Sequence, residues 1–343
     1  MPRRSARKLP KPRFDVVTIG AATRDVFVKS SHFDRIPSDS APDGWNACLP
    51  MGSKIAIDQL VFETGGGATN AAITFSRFGL KTACVSRVGK DVGGSEIRER
   101  LKKDHVDVSE IQTDADEPTG YSIILLAGTG HRAILVSRGA SKHIVRSQIA
   151  WKKLSSKWIY LTSVAGDRKL LSDVFAQAKK NLTHVAWNPG GSEIELGKKA
   201  LLTHLLQTDV LLLNLEEAAE LAETSPRRFD KILSTLGPLP RQALVITDGA
   251  RGAFAYSRGV TWHVSSPKGK VINTTGAGDA FGSAFVASLS QDGDLARALK
   301  AGALNAHGVV THMGAKVGIL KKFPAARELA KLTVREYRHH VHR

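Results

Sequence analysis

The chain has few cysteines and no long apolar run, and each shortage narrows the kinds of protein it can be. The two cysteines among its 343 residues, Cys48 and Cys84, match no metal-binding or redox spacing. We therefore expect reduced structural thiols in a cytoplasmic protein. No segment approaches the length of a membrane span. The basic residues 1–13 lack the apolar core of a secretory signal, which also favours the cytoplasm.

Acidic residues are also scarce, because 32 Asp and Glu stand against 49 Lys and Arg and leave a formal net charge of +17. Part of this excess lies in residues 1–13, which we expect to be disordered, and in 321–343, for which we expect a helix and a basic tail. High positive charge is common in proteins that bind nucleic acids. The interior lacks the alternation of basic and aromatic residues that base stacking requires, so we expect no specific nucleic-acid binding.

Strand-like and helix-like segments alternate along most of the chain. Apolar, β-branched runs predict strands at 14–20, 82–89, 157–162, 183–187, 209–214 and 243–249. Apolar residues at helical spacing predict helices at 70–79, 96–103, 169–180, 216–223, 228–236, 279–290 and 295–313. This alternation predicts one α/β domain over residues 14–320, with a mostly parallel sheet covered by helices on both faces.

Two regions interrupt the alternation and predict a small β-sheet lid beside the main sheet. Residues 121–137 place two apolar runs around "GTGH", which is typical of a hairpin. Residues 24–64 contain further strand-like pieces, the second of them at 54–63. The segment 38–53 is too long for a tight hairpin connection, and we expect its Trp45 to pack under the lid.

The stretch "NTTGAGDAFGSAF" (273–285) carries the clearest chemical signal. A predicted strand at 270–272 leads into Gly276-Ala277-Gly278-Asp279, where a helix begins. N–H groups at a helix start are unpaired, and glycines let this backbone approach an anion closely. The arrangement suits a phosphoryl group, with Asp279 accepting the proton of an attacking hydroxyl. A glycine turn with Asp279 as the helix N-cap accounts for these residues equally well.

A second glycine cluster, "ETGGGATN" (63–70), precedes another predicted helix. It places Gly66 and Gly67 beside Asn70, whose amide offers both donors and acceptors and so suits sugar hydroxyls. A capped, buried helix is the structural alternative. Asp25, just after the first strand, is a further acceptor for substrate hydroxyls.

Two more polar groups follow predicted strands. Asn214 and Glu217 are one helical turn apart and would face the crevice at the strand ends, where α/β sheets bind ligands. Glu217 suits a hydrated Mg²⁺ that accompanies a nucleotide. Gly249 and Gly252, after the strand that ends near Thr247, leave room for the nucleotide itself. Each feature also occurs in ordinary helix caps and turns.

The order of these motifs resembles that of the ribokinase-like, pfkB-type family of carbohydrate and nucleoside kinases, over about residues 14–318. The matching features, in family order, are Asp25, Gly66-Gly67 with Asn70, Gly79 and Gly89, the lid segment "PTGYSIILL…HRAILVSRGAS", Asn214-x-x-Glu217, Thr247 with Gly249, and residues 273–279. The two glycine signatures together are highly specific. The resemblance implies a ribokinase-like three-layer α/β/α domain with a small β-sheet lid.

The resemblance also implies roles for individual residues. Asp279 would be the catalytic base, and the backbone of Gly276, Ala277, Gly278 and Asp279 the anion hole for the transferred phosphoryl group. The implied substrate-binding residues are Asp25, Gly66, Gly67, Asn70 and Asn273. The implied nucleotide-binding residues are Asn214, Thr247, Gly249, Gly252 and Asn305, with Glu217 for the metal. ATP and Mg²⁺ are the implied cofactors, and potassium is a further candidate. Many members carry aspartate where this chain has Asn273, which leaves potassium dependence open.

Several functions fit the resemblance. The first is ATP-dependent phosphorylation of a hydroxyl on a small sugar. A nucleoside kinase is the alternative, and it requires lid aromatics that sandwich a base; the chain offers Phe27, Phe33, Trp45, Phe62 and Tyr121. A noncatalytic sugar- or nucleotide-binding regulator fits less well, because Asp279 and its glycines are present.

Two further predictions concern the lid. Arg138 ends the second lid strand, where its guanidinium is a candidate partner for a substrate carboxylate or phosphate and equally a solvated side chain. No second basic residue accompanies it in the motifs, which favours a neutral sugar. The lid sheet would have an apolar face too large to leave in water, which favours a homodimer closed through the two lids.

Overall fold

A mostly parallel sheet of ten strands forms the centre of the structure. The computed structural model describes residues 11–38, 44–127 and 132–337. The strands, in chain order, are β1 Phe14–Ile19, β2 Thr23–Ser30, β3 Asp34–Pro37, β4 Trp45–Cys48, β5 Gln59–Gly65, β6 Thr82–Gly89, β7 Ile111–Asp114, β8 Gly120–Ala127, β9 Arg132–Ser137, β10 Ser156–Leu161, β11 His184–Trp187, β12 Val210–Asn214, β13 Ala243–Thr247, β14 Ala253–Ser257, β15 Val260–Val264 and β16 Val334–Glu336. The central order is β16-β15-β14-β13-β12-β11-β10-β1-β6-β7, antiparallel only from β13 to β16.

Helices cover both faces of this sheet. They are α1 Gly67–Arg77, α2 Val92–Lys103, α3 Arg168–Asn181, α4 Gly191–Ile194, α5 Gly197–Leu205, α6 Leu215–Leu221, α7 Phe229–Leu236, α8 Ala277–Asp292, α9 Leu295–Val310 and α10 Ala326–Leu329. Strand β12 shows how the layers form, because side chains alternate between the two faces of a strand. Leu211 and Leu213 pack with α3, α5, α6 and α7, whereas Val210 and Leu212 pack with α1, α8 and α9.

The predicted lid is a separate four-stranded sheet in the order β5-β2-β8-β9. Its β2–β5 and β8–β9 pairs are antiparallel, and β2 pairs with β8 in parallel. Phe27, Ile124 and Leu126 form its small core together with the partly buried Val61 and Met313. Strand β2 begins at Thr23, only a few residues after β1 ends at Ile19, so the lid lies at the carboxyl end of the central strands.

The structure corrects several predicted elements. Residues 270–272 are not a strand, because the N–H of Ile272 bonds to the carbonyl of Val310 at 2.8 Å and no neighbouring strand pairs with this described segment. Strand β5 begins at Gln59, so the first half of 54–63 is irregular. The segment 321–343 contributes the short α10 and also β16, which extends the central sheet.

Some predictions fall on residues outside the described ranges. These are the tail over 1–10, part of the segment 38–53, the "GTGH" turn at 128–131 and the last residues from 338 onward. Trp45 is described, and it is not buried under the lid: it is 40% exposed, with the Arg35 guanidinium 5.1 Å from its ring centroid. Within the described ranges, no helix has both the length and the apolar character that a membrane span needs.

Candidate active site

Helix α8 begins without a side-chain cap. Its N-cap residue Gly276 has a left-handed conformation, with φ at +80°, and a Cβ there would lie 2.5 Å from the Cβ of Ala315. The N–H of Ala277 bonds to the carbonyl of Thr274, whereas the N–H groups of Gly278 and Asp279 come too early in the helix for an intrahelical acceptor. Nothing lies within 4 Å of the Cβ that Gly278 lacks, so this backbone is open to an anion.

Asp279 lies in the first turn of α8 and is not its N-cap. One carboxylate oxygen, Oδ2, accepts a hydrogen bond of 2.8 Å from Nδ2 of Asn70, on α1. Burial is the largest influence on this carboxyl group and raises its pKa, against the lowering effects of the Asn70 hydrogen bond and the Lys316 charge. The other oxygen, Oδ1, receives no hydrogen bond from the described residues. A carboxylate of raised pKa with one free oxygen is suited to accept a proton.

The second glycine cluster brings α1 and Asp25 to the same place. Gly66 is the N-cap of α1 at φ +93°, and a Cβ there would lie 2.4 Å from the carbonyl oxygen of Ala21. A Cβ at Gly65 would lie 1.9 Å from Oδ2 of Asp25, so only glycine fits beside this carboxylate. Asp25 is 3% exposed, accepts a hydrogen bond from Thr23, and has a pKa that burial raises.

Asn214 and Glu217 form a reciprocal cap at the start of α6. Oδ1 of Asn214 accepts from the N–H of Glu217 at 2.7 Å, and Oε2 of Glu217 accepts from the N–H of Asn214 at 2.9 Å. Asn214 and Glu217 therefore cap α6, which is the structural role that the sequence pattern also allowed. The pair keeps polar groups to spare, because Nδ2 of Asn214 and Oε1 of Glu217 take no part in the cap. Burial raises the pKa of Glu217, and the nearby Asp279 charge adds to this increase.

Two adjoining cavities lie along these residues and share Thr247, Gly278 and Phe281. The first, of about 210 Å³, is lined by Asn188, Leu212, Leu213, Asn214, Glu217, Val245, Thr247, Gly276, Gly278, Asp279 and Phe281. The second, of about 350 Å³, is lined by Thr247, Gly249, Ala250, Gly252, Ser266, Val271, Thr274, Ala277, Gly278, Phe281, Ala303, Ala306, His307 and Val310. The first contains the acidic and amide groups, and the second is mostly apolar.

This division fits a magnesium nucleotide. The uncapped start of α8 and the spare amide of Asn214 suit phosphate oxygens at the polar end. Glu217 suits Mg²⁺, which binds few carboxylates and retains several waters. The apolar end, which is lined by Val310 and Ala303 and by Gly249 and Gly252, suits a flat base. The predicted residues Thr247, Gly249 and Gly252 therefore lie together along one channel.

Three predicted residues lie elsewhere. Asn305 is fully buried, and its amide bonds to Thr74 and to the carbonyl of Ala280 while its oxygen accepts from the N–H of Leu320. Asn305 thus lies in the core between α1 and α8 and lines neither cavity, and this placement gives no support to the predicted nucleotide contact. Asn273 is buried beside the α8 turn, where its oxygen accepts from the N–H of Thr275 and its amide nitrogen finds no acceptor among the residues that the structure describes.

Arg138 is exposed at the end of β9. Its guanidinium donates a 3.0 Å hydrogen bond to the hydroxyl of Ser192, on the short α4, and it lines neither cavity. The structure thus gives Arg138 a protein partner at the surface. The two residues of this hydrogen bond are 54 positions apart in the sequence, so no local sequence pattern predicts it.

Sequence reasoning missed Lys316 and the apolar lining of the second cavity. Lys316 follows α9 in the glycine-rich "MGAKVG" (313–318) and is fully buried, and no residue in the described part of the chain accepts a hydrogen bond from its ammonium group. A lysine flanked by glycines next to the end of a helix was the available signal. Phe281, Ala303 and Val310 carry no polar signal and are identified only by the packing of α8 against α9.

Comparisons with known proteins agree with this architecture. A family model for pfkB family carbohydrate kinases matches residues 16–322. The ribokinase of Haemophilus influenzae is 27% identical over 263 residues, which span 74% of this chain and 83% of that protein. The solved nucleoside kinase of Methanocaldococcus jannaschii has a TM-score of 0.73 at 21% identity, covering 94% of this chain and 98% of that one. An Escherichia coli protein solved with ATP and Mg²⁺ has a TM-score of 0.72 at 20% identity, covering 89% and 96%. The predicted fold class is confirmed.

Proposed function

Because the chain belongs to the pfkB family of carbohydrate kinases, we propose that it transfers the γ-phosphoryl group of ATP to a hydroxyl of a small, uncharged sugar. The observation that carries this proposal is the start of α8. There, two free N–H groups and a carboxyl group of raised pKa lie at the end of a cavity that fits a nucleotide. The two features match the two needs of phosphoryl transfer, which are charge stabilisation and a proton acceptor.

Asp279 accepts the proton of the substrate hydroxyl as its oxygen attacks phosphorus, and the bond from the γ-phosphorus to the bridging oxygen breaks to release ADP. Asn70 donates to Oδ2 of Asp279, and Oδ1 stays available to the substrate hydroxyl. The N–H groups of Gly278 and Asp279 stabilise the charge on the transferred group. Glu217 would hold Mg²⁺ and Asn214 would contact the phosphates, and the bound metal ion would neutralise part of their negative charge.

An ADP-formation assay against a substrate panel tests the proposal. The panel contains neutral pentoses and hexoses, keto-deoxy sugar acids and nucleosides, each with ATP and Mg²⁺. We expect turnover with at least one neutral sugar and none for the Asp279→Asn protein on that sugar. Absence of sugar-dependent ADP formation across the whole panel, by a folded protein that binds ATP, would contradict it.

The lid geometry favours a sugar over a nucleoside. In the register of the lid sheet, Asp25 on β2 lies directly across from Glu63 on β5 and from Ser122 on β8. These three side chains therefore share one face of the sheet. Phe62 immediately precedes Glu63 and Tyr121 immediately precedes Ser122, so both aromatic side chains face the opposite side of the sheet. Phe27 is on the Asp25 face but is 1% exposed in the lid core. Three of the five candidate aromatics are thus poorly placed to sandwich a base.

We also propose a homodimer closed through the lid. Apolar side chains are exposed on the face of the lid sheet opposite to Asp25, namely Leu60 at 48%, Phe62 at 50% and Leu135 at 56%. A small sheet with such a face gains stability when it is covered, and a second copy offers a matching face. Light scattering at micromolar concentration should give twice the mass of the chain, and a monomer mass would exclude this assembly.

We propose a cytoplasmic location, because the two cysteines, Cys48 and Cys84, are free thiols.

A requirement for potassium stays a prediction of the family resemblance. Comparing the reaction rate in potassium chloride with the rate in choline chloride tests it. Asn273 bears on this point, since a neutral amide supplies no negative charge for a cation and its buried nitrogen has no acceptor within the described ranges.

A further inference from the structure

Lys316 is a charged group with no evident structural use. Its side chain is 0% exposed, and its ammonium nitrogen has no hydrogen-bond acceptor among the described residues. An isolated ammonium in such a place is costly unless opposite charges lie near it. Exposed lysines elsewhere in the chain do not carry this cost, for example Lys142, which pairs with Glu117 at 3.0 Å. The burial of Lys316 therefore calls for a compensating interaction.

Packing holds Lys316 between the lid and the start of α8. The preceding residue, Ala315, lies against Gly276, so closely that a Cβ on that glycine would be 2.5 Å from the Ala315 Cβ. Gly314 lies against Glu63 of β5, and Met313 packs into the lid core. The segment 313–316 therefore packs between the lid sheet and the first turn of α8.

The charges around Lys316 come from five elements. The titratable and charged groups that interact with it are Asp25 on β2, Glu63 on β5, Cys84 on β6, Arg100 on α2 and Asp279 on α8. Glu63 and Arg100 lie 3.9 Å apart and largely offset one another. Cys84 is a buried thiol whose pKa is raised to about 11, so it is neutral. The two aspartates remain as the opposing charges for the ammonium.

We propose that Lys316 is a positioning residue of the reaction: its ammonium is the built-in countercharge that keeps the carboxylates of Asp25 and Asp279 ionised. The inference rests on the proposed role of Asp279 as proton acceptor. Burial alone works against ionised carboxylates, and one internal cation between two of them lowers this cost. Because the Lys316 ammonium already interacts with the carboxylates of Asp25 and Asp279, it is not available to a substrate carboxylate or phosphate. We therefore expect the part of the substrate that lies near these aspartates to be uncharged.

The first test measures the countercharge without using activity. Selective ¹⁵N labelling of lysine reports the Lys316 ammonium titration by NMR in the wild type, in Asp279→Asn and in Asp25→Asn. In the wild type burial lowers the Lys316 pKa to about 7, while the Asp25 and Asp279 charges raise it. Coupling between two groups is reciprocal, so removing either carboxylate should lower this pKa further. A pKa that is the same in all three proteins would overturn the proposal.

The second test uses kinetics of Lys316→Met, Lys316→Arg and the matched surface variant Lys142→Met. Loss of the ammonium raises the pKa of Asp279, so the acidic limb of the kcat/KM profile should move to higher pH in Lys316→Met. A shift of one pH unit gives about tenfold lower activity on that limb. Lys316→Arg should retain the wild-type limb because it retains the charge, and Lys142→Met should match the wild type. A Lys316→Met protein with an unmoved limb contradicts the proposal.

Two competing outcomes are distinguishable. If Lys316 instead binds a substrate carboxylate, Lys316→Met raises KM for acidic sugars alone and leaves the acidic limb in place, which overturns the proposal. If no substrate is phosphorylated by the wild type, the proposed function fails, yet the NMR titration still decides whether the countercharge exists. Should Lys316→Met fail to fold, the NMR comparison in the two aspartate variants decides the question alone.

Discussion

Two aspartates stand at the start of two glycine-containing helices, and their surroundings differ in a way that separates structure from chemistry. Asp91 is the N-cap of α2, and its carboxylate accepts three hydrogen bonds, from the N–H of Gly94 and from the N–H and hydroxyl of Thr119. These donors lower its pKa. Asp279, in the first turn of α8, accepts one hydrogen bond from another side chain, and burial raises its pKa.

The difference lies in the number of donors that each carboxylate has within the protein. The three bonds of Asp91 fix the start of α2 to the segment that leads into lid strand β8, and both carboxylate oxygens take part in them. Asp279 keeps an oxygen free, and the backbone beside it lacks any cap. An unmet hydrogen-bonding need in a rigid setting costs stability and provides a site for a ligand. The same residue type is therefore structural at one helix start and chemical at the other.

The largest expected effect is the loss of turnover in Asp279→Asn. Removing the proton acceptor should lower kcat by more than about a thousandfold. The affinity for ATP, measured by calorimetry, should stay within a few-fold of the wild type, because the N–H groups of α8 remain. The matched variant Asp91→Asn should retain its turnover within a few-fold. Near-normal turnover of Asp279→Asn would remove it from its proposed role and make the two aspartates alike.

The second effect is a loss of stability in Asp91→Asn. If the side-chain oxygen of the new asparagine accepts the hydrogen bond from the N–H of Gly94, its NH₂ group lies against the N–H of Thr119. Both of these groups are donors, so the N–H of Thr119 loses its acceptor. Leaving a buried donor unpaired costs about 1–3 kcal/mol, so we expect a decrease of this order in the free energy of unfolding. Urea denaturation measures it. Unchanged stability would show that Asp91 is not a structural cap.

The third effect has the opposite sign, because Asp279→Asn should stabilise the protein at neutral pH. The folded-state pKa of Asp279 is raised above its unfolded value, so its contribution to stability is present at low pH and is lost as pH rises through the folded pKa. Asparagine resembles the protonated acid and avoids that loss. Thermal unfolding measured as pH rises from the ordinary carboxyl pKa of 3.8 should show an advantage of the variant that grows with pH until the folded-state pKa is passed. A variant less stable than the wild type at pH 8 would contradict the desolvation argument.

The sequence predicts the two helix starts because their signals are local. Glycines at 276 and 278, followed by Asp279, occur within a few residues, and so do Gly66 and Asn70. The hydrogen bond that joins Asn70 to Asp279 spans 209 positions and is visible only in the fold. The residue types of the site were thus predictable, and their mutual geometry was not.

The differences between the sequence predictions and the structure have the same cause. Residues 270–272 are apolar like a strand, but a strand also needs a neighbour for its hydrogen bonds, and this segment lies instead against the end of α9. Asn305 is polar like a ligand contact, but α9 directs it into the core, where three hydrogen bonds satisfy it. Lys316 resembles a surface lysine and is buried because lid and α8 meet around it. Each case depends on packing between segments far apart in sequence.

The smallest expected effect applies the same comparison to Arg138, which resembles Asp91 in having a protein partner. Its guanidinium is exposed and donates to Ser192, and it lines neither of the two described cavities. An exposed hydrogen bond contributes about 1 kcal/mol or less, so Arg138→Ala should change KM for a neutral sugar by no more than a few-fold. Ser192→Ala should reproduce that change, since it removes the same bond from the other side. Michaelis constants for one neutral and one acidic sugar decide the matter. A tenfold or larger rise for the acidic sugar alone would move Arg138 from the structural class to the ligand-binding class and would make the substrate an anion.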